Sequence, residues 1–588
     1  MTLPPSNYDK YPVIQVQDAE TGCWTGWSSI AQEIRLRIDT AGVSSPKIVI
    51  ECYHGVREEE ICEAFRREFA GLCLIRSAEA MRTSEELNTF FAEDITDDEL
   101  FGYLTRHTMD SFFDAEKVRS IRQSVGTRPH GPVLVCGIGA AYVCPDADIL
   151  LYADLSRWEI QQRFRRNEIS NIGVENRTER ASLQYKRAFF VDWRICDRFK
   201  KSLMKKWDYL IDTHRPSAPK MITAANLEAG LRQAVSQPFR VVPFFDPGPW
   251  GGQWMKEVCD LDRNAANYAW CFDCVPEENS LLLAFGGTTV EIPSINLVFR
   301  YPEELLGTPV YGRFGDEFPI RFDFLDTMQG GNLSLQVHPS TSYIQEKFGI
   351  HYTQDESYYL LDAAPDAVVY LGLKDGASPS ALLADLEEAQ ATGQLDAEKH
   401  IGVYPVRKHD HLLIPAGTVH CSGKNGMVLE ISATPYIFTF KLWDWGRLGL
   451  DGRPRPINIR RGKEVIRWER TESWVKKELI NRCTLLYEAD GIREEKTGLH
   501  EQEFIETRRH WFTRPVLHHT DGSVNVLNLV EGREAIVESP DARFAPFIVH
   551  YAETFIIPAA VESYTIRPYG TSEGKTCATL KAFVRHHA

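Results

Sequence analysis

Gln336, His338, Glu356 and His420 are side chains of the kinds that bind divalent metal ions. The first two lie in the run LSLQVHP. Residues i and i+2 of a strand point to one face, so Ser334, Gln336 and His338 share a face, and Leu333, Leu335 and Val337 take the other. Glu356 heads a second strand, ESYYLL, where Tyr358 shares its face, and His420 follows the turn IPAG at the start of a third. If these strands are neighbours in a barrel, the four side chains converge. Two neutral imidazoles, an amide and one carboxylate suit a divalent ion of intermediate softness, zinc first, with open positions for substrate or water. A single carboxylate leaves such an ion net positive and able to polarise a substrate oxygen. On spacing alone, a histidine in a strand is more often a hydrogen-bonded structural group than a ligand.

The elements that must position these residues are short β-rich runs, which dominate from about residue 240: LLLAF, TVEIP, LSLQVHP, YYLLD, HLLIPAG, MVLEIS and FTFKLW. Many short strands separated by turn residues indicate a sandwich or barrel. One helix, ASPSALLADLEEAQATG, interrupts them, and a last β-rich block echoes the spacing of the first. Between 47 and 213 the pattern alternates apolar strands with amphipathic helices (KIVIEC, REEEICEAFRREFAG, VLVCGIG, ILLYADL), which predicts βαβ units around a parallel sheet. The expected organisation is an extension at 1–46, an α/β domain at 47–213, a linker at 214–240, a metal-bearing β domain at 241–460 and a second β domain at 461–588.

With 588 residues the chain exceeds one ordinary core. A net charge of −16 argues against a nucleic-acid surface or a polybasic membrane patch. No apolar run approaches the length of a membrane span and the N-terminus lacks a signal-peptide pattern, so a cytoplasmic protein is expected. Thirteen scattered cysteines read as reduced thiols, and the one CxxC, Cys271 to Cys274, lies in a strand-like apolar run without a second pair at zinc-finger spacing.

The runs PFFDPGPWGGQW, FPIRFDFLDTMQGGNLSLQVHPS, QDESYYLL, LLIPAGTVHCSGKNGMVLEIS and FKLWDWGR, in that order, resemble the class I mannose-6-phosphate isomerases of the cupin superfamily in their short bacterial form. The resemblance covers about residues 240 to 588. It implies two jelly-roll cupin barrels, the first carrying one zinc ion on Gln336, His338, Glu356 and His420, and the second lacking these ligands. It implies an aldose–ketose isomerase that moves a proton between C1 and C2 of a sugar phosphate through an enediol. That chemistry needs a Lewis acid, a base and a cation for phosphate. Glu430 in MVLEIS falls in a family motif and is either the base or an orienter of a metal-bound histidine. Trp250, in the WGG motif, is with Ser334, Gln354, Arg321 and Tyr358 an expected substrate contact, and Lys441 and Arg447 join Glu430 as expected catalytic residues. Two departures stand out: Gln354 occupies the place of a lysine two residues before the ligand glutamate, and Lys441 occupies the place of an arginine. Arg321 and Arg447 are the candidate substitutes for gripping substrate, and Tyr358 lines the pocket or fills the core. Expected partners are a sugar or sugar phosphate, with no nucleic acid and no membrane; the oligomeric state stays open, a homodimer among the options.

The α/β region resembles a uridine or nucleoside kinase-like domain. A working P-loop needs glycines, a lysine and a serine or threonine, whereas this loop, Cys52 to Glu60, reads CYHGVREEE. A catalytically dead scaffold or regulatory domain is expected, with Arg157, Arg163, Arg165 and Arg166 forming a solvated helix face or a phosphate site. The alternatives to an isomerase are a metal cupin that binds or senses carbohydrate without turnover, and a bifunctional kinase and isomerase.

Overall fold

The fold is given by a computed structural model, which describes all residues except 1–4, 18–21, 129, 434, 435, 437, 449–451, 453–456, 502 and 586–588. The chain divides into an α/β unit, residues 13–233 with 280–300, and a β unit, residues 1–12, 234–279 and 301–588.

The α/β unit is built on a seven-stranded sheet in the order Cys23–Thr25, Lys220–Thr223, Tyr209–Asp212, Ile149–Asp154, Lys47–Cys52, Val133–Gly137, Cys73–Arg76. The last five are parallel, and Lys220–Thr223 runs antiparallel to both of its neighbours. ILLYAD is buried at all six positions, as a central parallel strand covered on both faces must be. A separate three-stranded sheet joins Val13–Gln15 in parallel to the hairpin Ser280–Phe285 and Thr288–Pro293.

Three expected boundaries are thereby corrected. Residues 214–240, read as a linker, contain the strand Lys220–Thr223 and the helix Ala224–Val235. Residues 1–46, read as an extension, supply two strands and the helix Trp27–Ala41. Residues 280–300, read as β domain, belong to the α/β unit. The reason is pairing: a two-stranded hairpin carries no signal of which sheet it will join, and this one is fixed by its register with Val13–Gln15.

The β unit holds two sheet pairs. In the first, a six-stranded sheet runs His411–Ile414, Asp355–Ala363, Gly426–Ala433, Arg321–Asp326, Trp270–Cys274, Phe244–Asp246. Its five-stranded partner runs Ile401–Pro405, Val368–Leu373, His420–Ser422, Leu335–Val337, Phe440–Trp443. The expected helix is present at Pro379–Thr392, started by Ser378, whose hydroxyl accepts from the Ala381 N–H, with proline at the first helical position. The second pair, from Thr484 onward, has six and four strands around a core that includes Phe512, Leu527, Leu529, Phe555 and Ile566. The helix Ile459–Val465 spans the expected boundary at 460.

Candidate metal centre

Gln336 and His420 are direct antiparallel partners on neighbouring strands of the five-stranded sheet, so their side chains leave the same face. His338 is the first residue after its strand, fixed there because its carbonyl accepts from the Gly417 N–H at 2.8 Å. Glu356 comes from the opposite, six-stranded sheet, paired with Ile414 and Ser432. The sheets thus bring His338, Glu356 and His420 together, with one ligand atom of each within 4.8 Å of the others and all three buried. Gln336 joins them, its amide nitrogen 3.2 Å from His420 Nε2.

The proton positions decide what this arrangement is for. His338 Nδ1 lies 2.8 Å from the Phe438 carbonyl, and His420 Nδ1 lies 2.9 Å from the Thr418 carbonyl. A carbonyl only accepts, so both Nδ1 atoms carry the hydrogen, and in a neutral imidazole Nε2 is then a lone pair. Both Nε2 atoms face the Glu356 carboxylate, at 3.1 Å and 2.9 Å. Lone pairs aimed at a buried carboxylate repel it unless a cation lies among them. Among the described residues, His338 Nε2 and Glu356 Oε1 have no hydrogen-bond partner. The donor set therefore fits a divalent ion, and the backbone carbonyls that fix the tautomers are the usual outer support of ligating histidines.

Several predicted residues surround the cluster. Lys441 is the antiparallel partner of Gln336 and leaves the same face. Tyr358 is fully buried, its ring centroid 5.9 Å from that of His420. Glu430 pairs with Tyr358 on one side and Asp323 on the other, and Arg321 pairs with Ser432 one step along. Burial raises the Glu430 carboxyl well above its usual range, with Glu356 and Asp323 adding to the rise. Asp323 was not foreseen: the run RFDFLD reads as an ordinary strand, yet burial pushes its carboxyl up to about 8 despite Arg321 beside it.

Others are placed differently from expectation. Gln354 donates from Nε2 to Glu356 Oε2 at 2.9 Å and accepts from the Phe438 N–H at 3.1 Å. Its amide is spent on fixing a carboxylate that a lysine would pair with as a point charge. Arg447 donates to Asp444 and to the Asn332 carbonyl, and Ser334 donates to the same Asp444 oxygen. Ser334 and Arg447 thus converge on Asp444 and brace that edge of the sheet. Trp250 is 1% exposed and packs edge-on against Trp270, centroids 4.8 Å apart, a core contact rather than a binding wall. Cys271 and Cys274 are free and buried.

In the α/β unit two of the four predicted arginines, Arg157 and Arg163, are buried rather than solvated. Arg163 is fully buried and donates to Glu159 and to the carbonyls of Gly55, Thr213 and His214. Arg157 is buried against Asp197, whereas Arg165 and Arg166 are exposed, Arg165 over the Trp158 ring and Arg166 paired with Glu159 and Glu168. The Cys52–Glu60 loop is held by Arg163 at Gly55 and by Arg57 on Glu168. Beyond it, Lys200 spends all three of its donors on Asp154, twice, and Asn296.

Comparison with known proteins gives two matches of different kinds. Residues 26–236 match a family described as "Domain of unknown function (DUF8485)". The chain is also similar to mannose-6-phosphate isomerase ManA of Bacillus subtilis, 29% identical over 152 residues, covering 26% of this chain and 45% of that protein. It is similar to the probable mannose-6-phosphate isomerase GmuF of the same organism, 23% identical over 232 residues, covering 40% and 69%. The matches thus span from under half to about two thirds of these relatives. Among solved structures, a mannose 6-phosphate isomerase from Bacillus subtilis aligns with a TM-score of 0.48 at 20% identity, over 59% of this chain and 99% of that one. No helix among the described residues is long and apolar enough to cross a membrane.

Proposed function

We propose that the β unit is a metal-dependent aldose–ketose isomerase acting on a sugar phosphate of the mannose 6-phosphate and fructose 6-phosphate type. Gln336, His338, Glu356 and His420 are assigned as ligands of one zinc ion. The observation that carries this reading is the pair of imidazole Nε2 lone pairs converging on the Glu356 carboxylate with both Nδ1 hydrogens already committed. The similarity to mannose-6-phosphate isomerases supplies the reaction class. The two sheet pairs are read as two cupin barrels, only the first of which carries this set.

Bound there, the ion supplies positive charge beside the oxygens on C1 and C2 of the sugar. The chain's own residues do the rest. Glu430, a buried carboxyl with high proton affinity, is assigned as the base that takes the proton from one carbon and returns it to the other. Lys441, on the Gln336 face, is assigned to the anionic oxygen that develops in the enediol, and Arg321 to the substrate phosphate. Tyr358 and Asp323 flank the base across the strands and keep water from it. Gln354 orients Glu356.

The α/β unit is read as kinase-like in strand order and without phosphotransferase chemistry. Its loop lacks the lysine and hydroxyl that nucleotide transfer needs, and Arg163 is spent on backbone carbonyls.

Elemental analysis of the purified protein tests the ligand assignment. Close to one zinc per chain is expected, lost in His338→Ala and in His420→Ala. Full metal content in both variants would contradict it. A protein that holds zinc but turns over no sugar phosphate would instead be a carbohydrate sensor.

A further inference from the structure

A cavity of about 850 Å³ lies in the β unit between its two sheet pairs, formed by segments distant in sequence. Its aromatic walls are Trp254 and Tyr551, with centroids 6.1 Å apart. Both rings are fixed by their polar ends: Trp254 Nε1 donates to Asp362 at 2.9 Å, and Tyr551 Oη donates to the Leu361 carbonyl at 3.2 Å. The Lys408 ammonium lies over the Tyr551 ring and is held by Glu531 at 2.6 Å. The apolar faces are therefore rigid before any ligand arrives, which lowers the entropic cost of binding.

The rest of the lining is polar and charge-balanced. Three cations, Lys408, Arg533 and Lys575, face three carboxylates, Glu257, Asp362 and Glu531. A site for a phosphate would carry an excess of cations, and a site for an ammonium an excess of carboxylates. Hydrogen-bonding capacity is left over: the side chains of Asn7 and Lys575 have no partner among the described residues, and Asp362 accepts only from two neutral N–H groups.

We infer that this cavity is a second ligand site, separate from the metal centre, and that its ligand is an uncharged saccharide. A pyranose has an apolar C–H face for an aromatic wall and a rim of hydroxyls that both donate and accept. That combination matches two fixed rings opposed by balanced donors and acceptors. The volume exceeds one ring, so an oligosaccharide fits better than a monosaccharide. Because the walls come from both sheet pairs, a bound saccharide ties the first pair to the second. The inference does not rest on the isomerase reading.

Saturation-transfer NMR on the full-length protein with mannose, mannobiose and cellobiose tests it. Transfer from protein to a disaccharide is expected in the wild type and equally in His420→Ala. Binding should weaken about tenfold in Tyr551→Ala, the loss of one aromatic wall, and measurably in Lys575→Ala, an exposed position that does not threaten folding. Melting temperatures of the variants separate lost binding from lost structure, and the Lys575 variant carries the test if Tyr551→Ala unfolds. Absence of transfer with all three sugars overturns the inference. So does transfer that vanishes in His420→Ala but persists in both cavity variants, which would place the sugar at the metal centre. Binding of mannose 6-phosphate but of no uncharged sugar to this cavity would overturn the assignment of ligand class.

Discussion

In the α/β unit, Lys200 ends on two oxygens of Asp154 and one of Asn296, and Arg163 ends on Glu159 and three carbonyls. In the β unit, two imidazoles and a carboxylate are equally buried but confront one another with lone pairs. Both regions concentrate polar groups away from water, where an unpaired group costs ~1–3 kcal/mol and a charge more. Lys200 and Arg163 meet that cost with acceptors from their own unit, so neither side chain is left to recognise a ligand. The cluster in the β unit leaves it unmet, which is the condition of a group built to meet a ligand. Residue types alone would have ranked the two regions the other way, because arginines beside a strand-to-helix loop look more like a phosphate site than QVH looks like a metal site.

The largest effect should come from the unmet cluster. His338→Ala should lower turnover of a sugar phosphate by about three orders of magnitude, the scale of losing a Lewis acid worth several kcal/mol, with little change in melting temperature of the metal-free protein. An activity loss under tenfold would place the cluster outside the chemistry. Arg163→Met should do the reverse. It leaves three buried carbonyls short of a donor and should cost about 3 kcal/mol of stability, measured by denaturant unfolding, while turnover per folded molecule stays unchanged. If that variant is stable, the α/β unit is not self-satisfied as described.

Gln354→Ala should show a smaller effect, lowering zinc affinity about 10- to 100-fold, because it removes the amide that orients Glu356 without removing a ligand. Competition with a chelator reads this directly, and unchanged affinity would return Gln354 to the role of substrate contact. The smallest expected effect is none: ATP with Mg²⁺ should not shift the melting temperature, since a ligand stabilises only a fold that binds it. A rise of several degrees would show that the loop around Gly55 still holds nucleotide.

The convergence of His338, Glu356 and His420 was legible because each lies in a short strand-and-turn run whose local pattern is retained, and strand parity likewise places Gln336 on the His338 side. Asp323 was not legible, since one carboxylate inside RFDFLD looks like an outward-facing residue until its sheet is covered. The role of Gln354 was half legible: the missing lysine was apparent, but one of the amide's two hydrogen bonds comes from the Phe438 backbone, 84 residues away. The parallel sheet followed from alternating apolar runs and helices. What failed was membership: the hairpin of residues 280–300 pairs with Val13–Gln15, and the following helix meets Asp154 through Asn296, and local sequence does not encode contacts across more than a hundred residues.

In the proposed reaction Glu430 moves a proton between C1 and C2 of a sugar phosphate beside a metal ion held by the His338, Glu356 and His420 cluster. Incubating zinc-loaded protein with fructose 6-phosphate in D₂O and following the sugar by NMR tests this most directly. Deuterium is expected at C1 or C2 with the wild type, and none with His420→Ala. Exchange at an equal rate in the variant, or no exchange by the zinc-loaded wild type with this or any other phosphorylated aldose or ketose, would contradict the account.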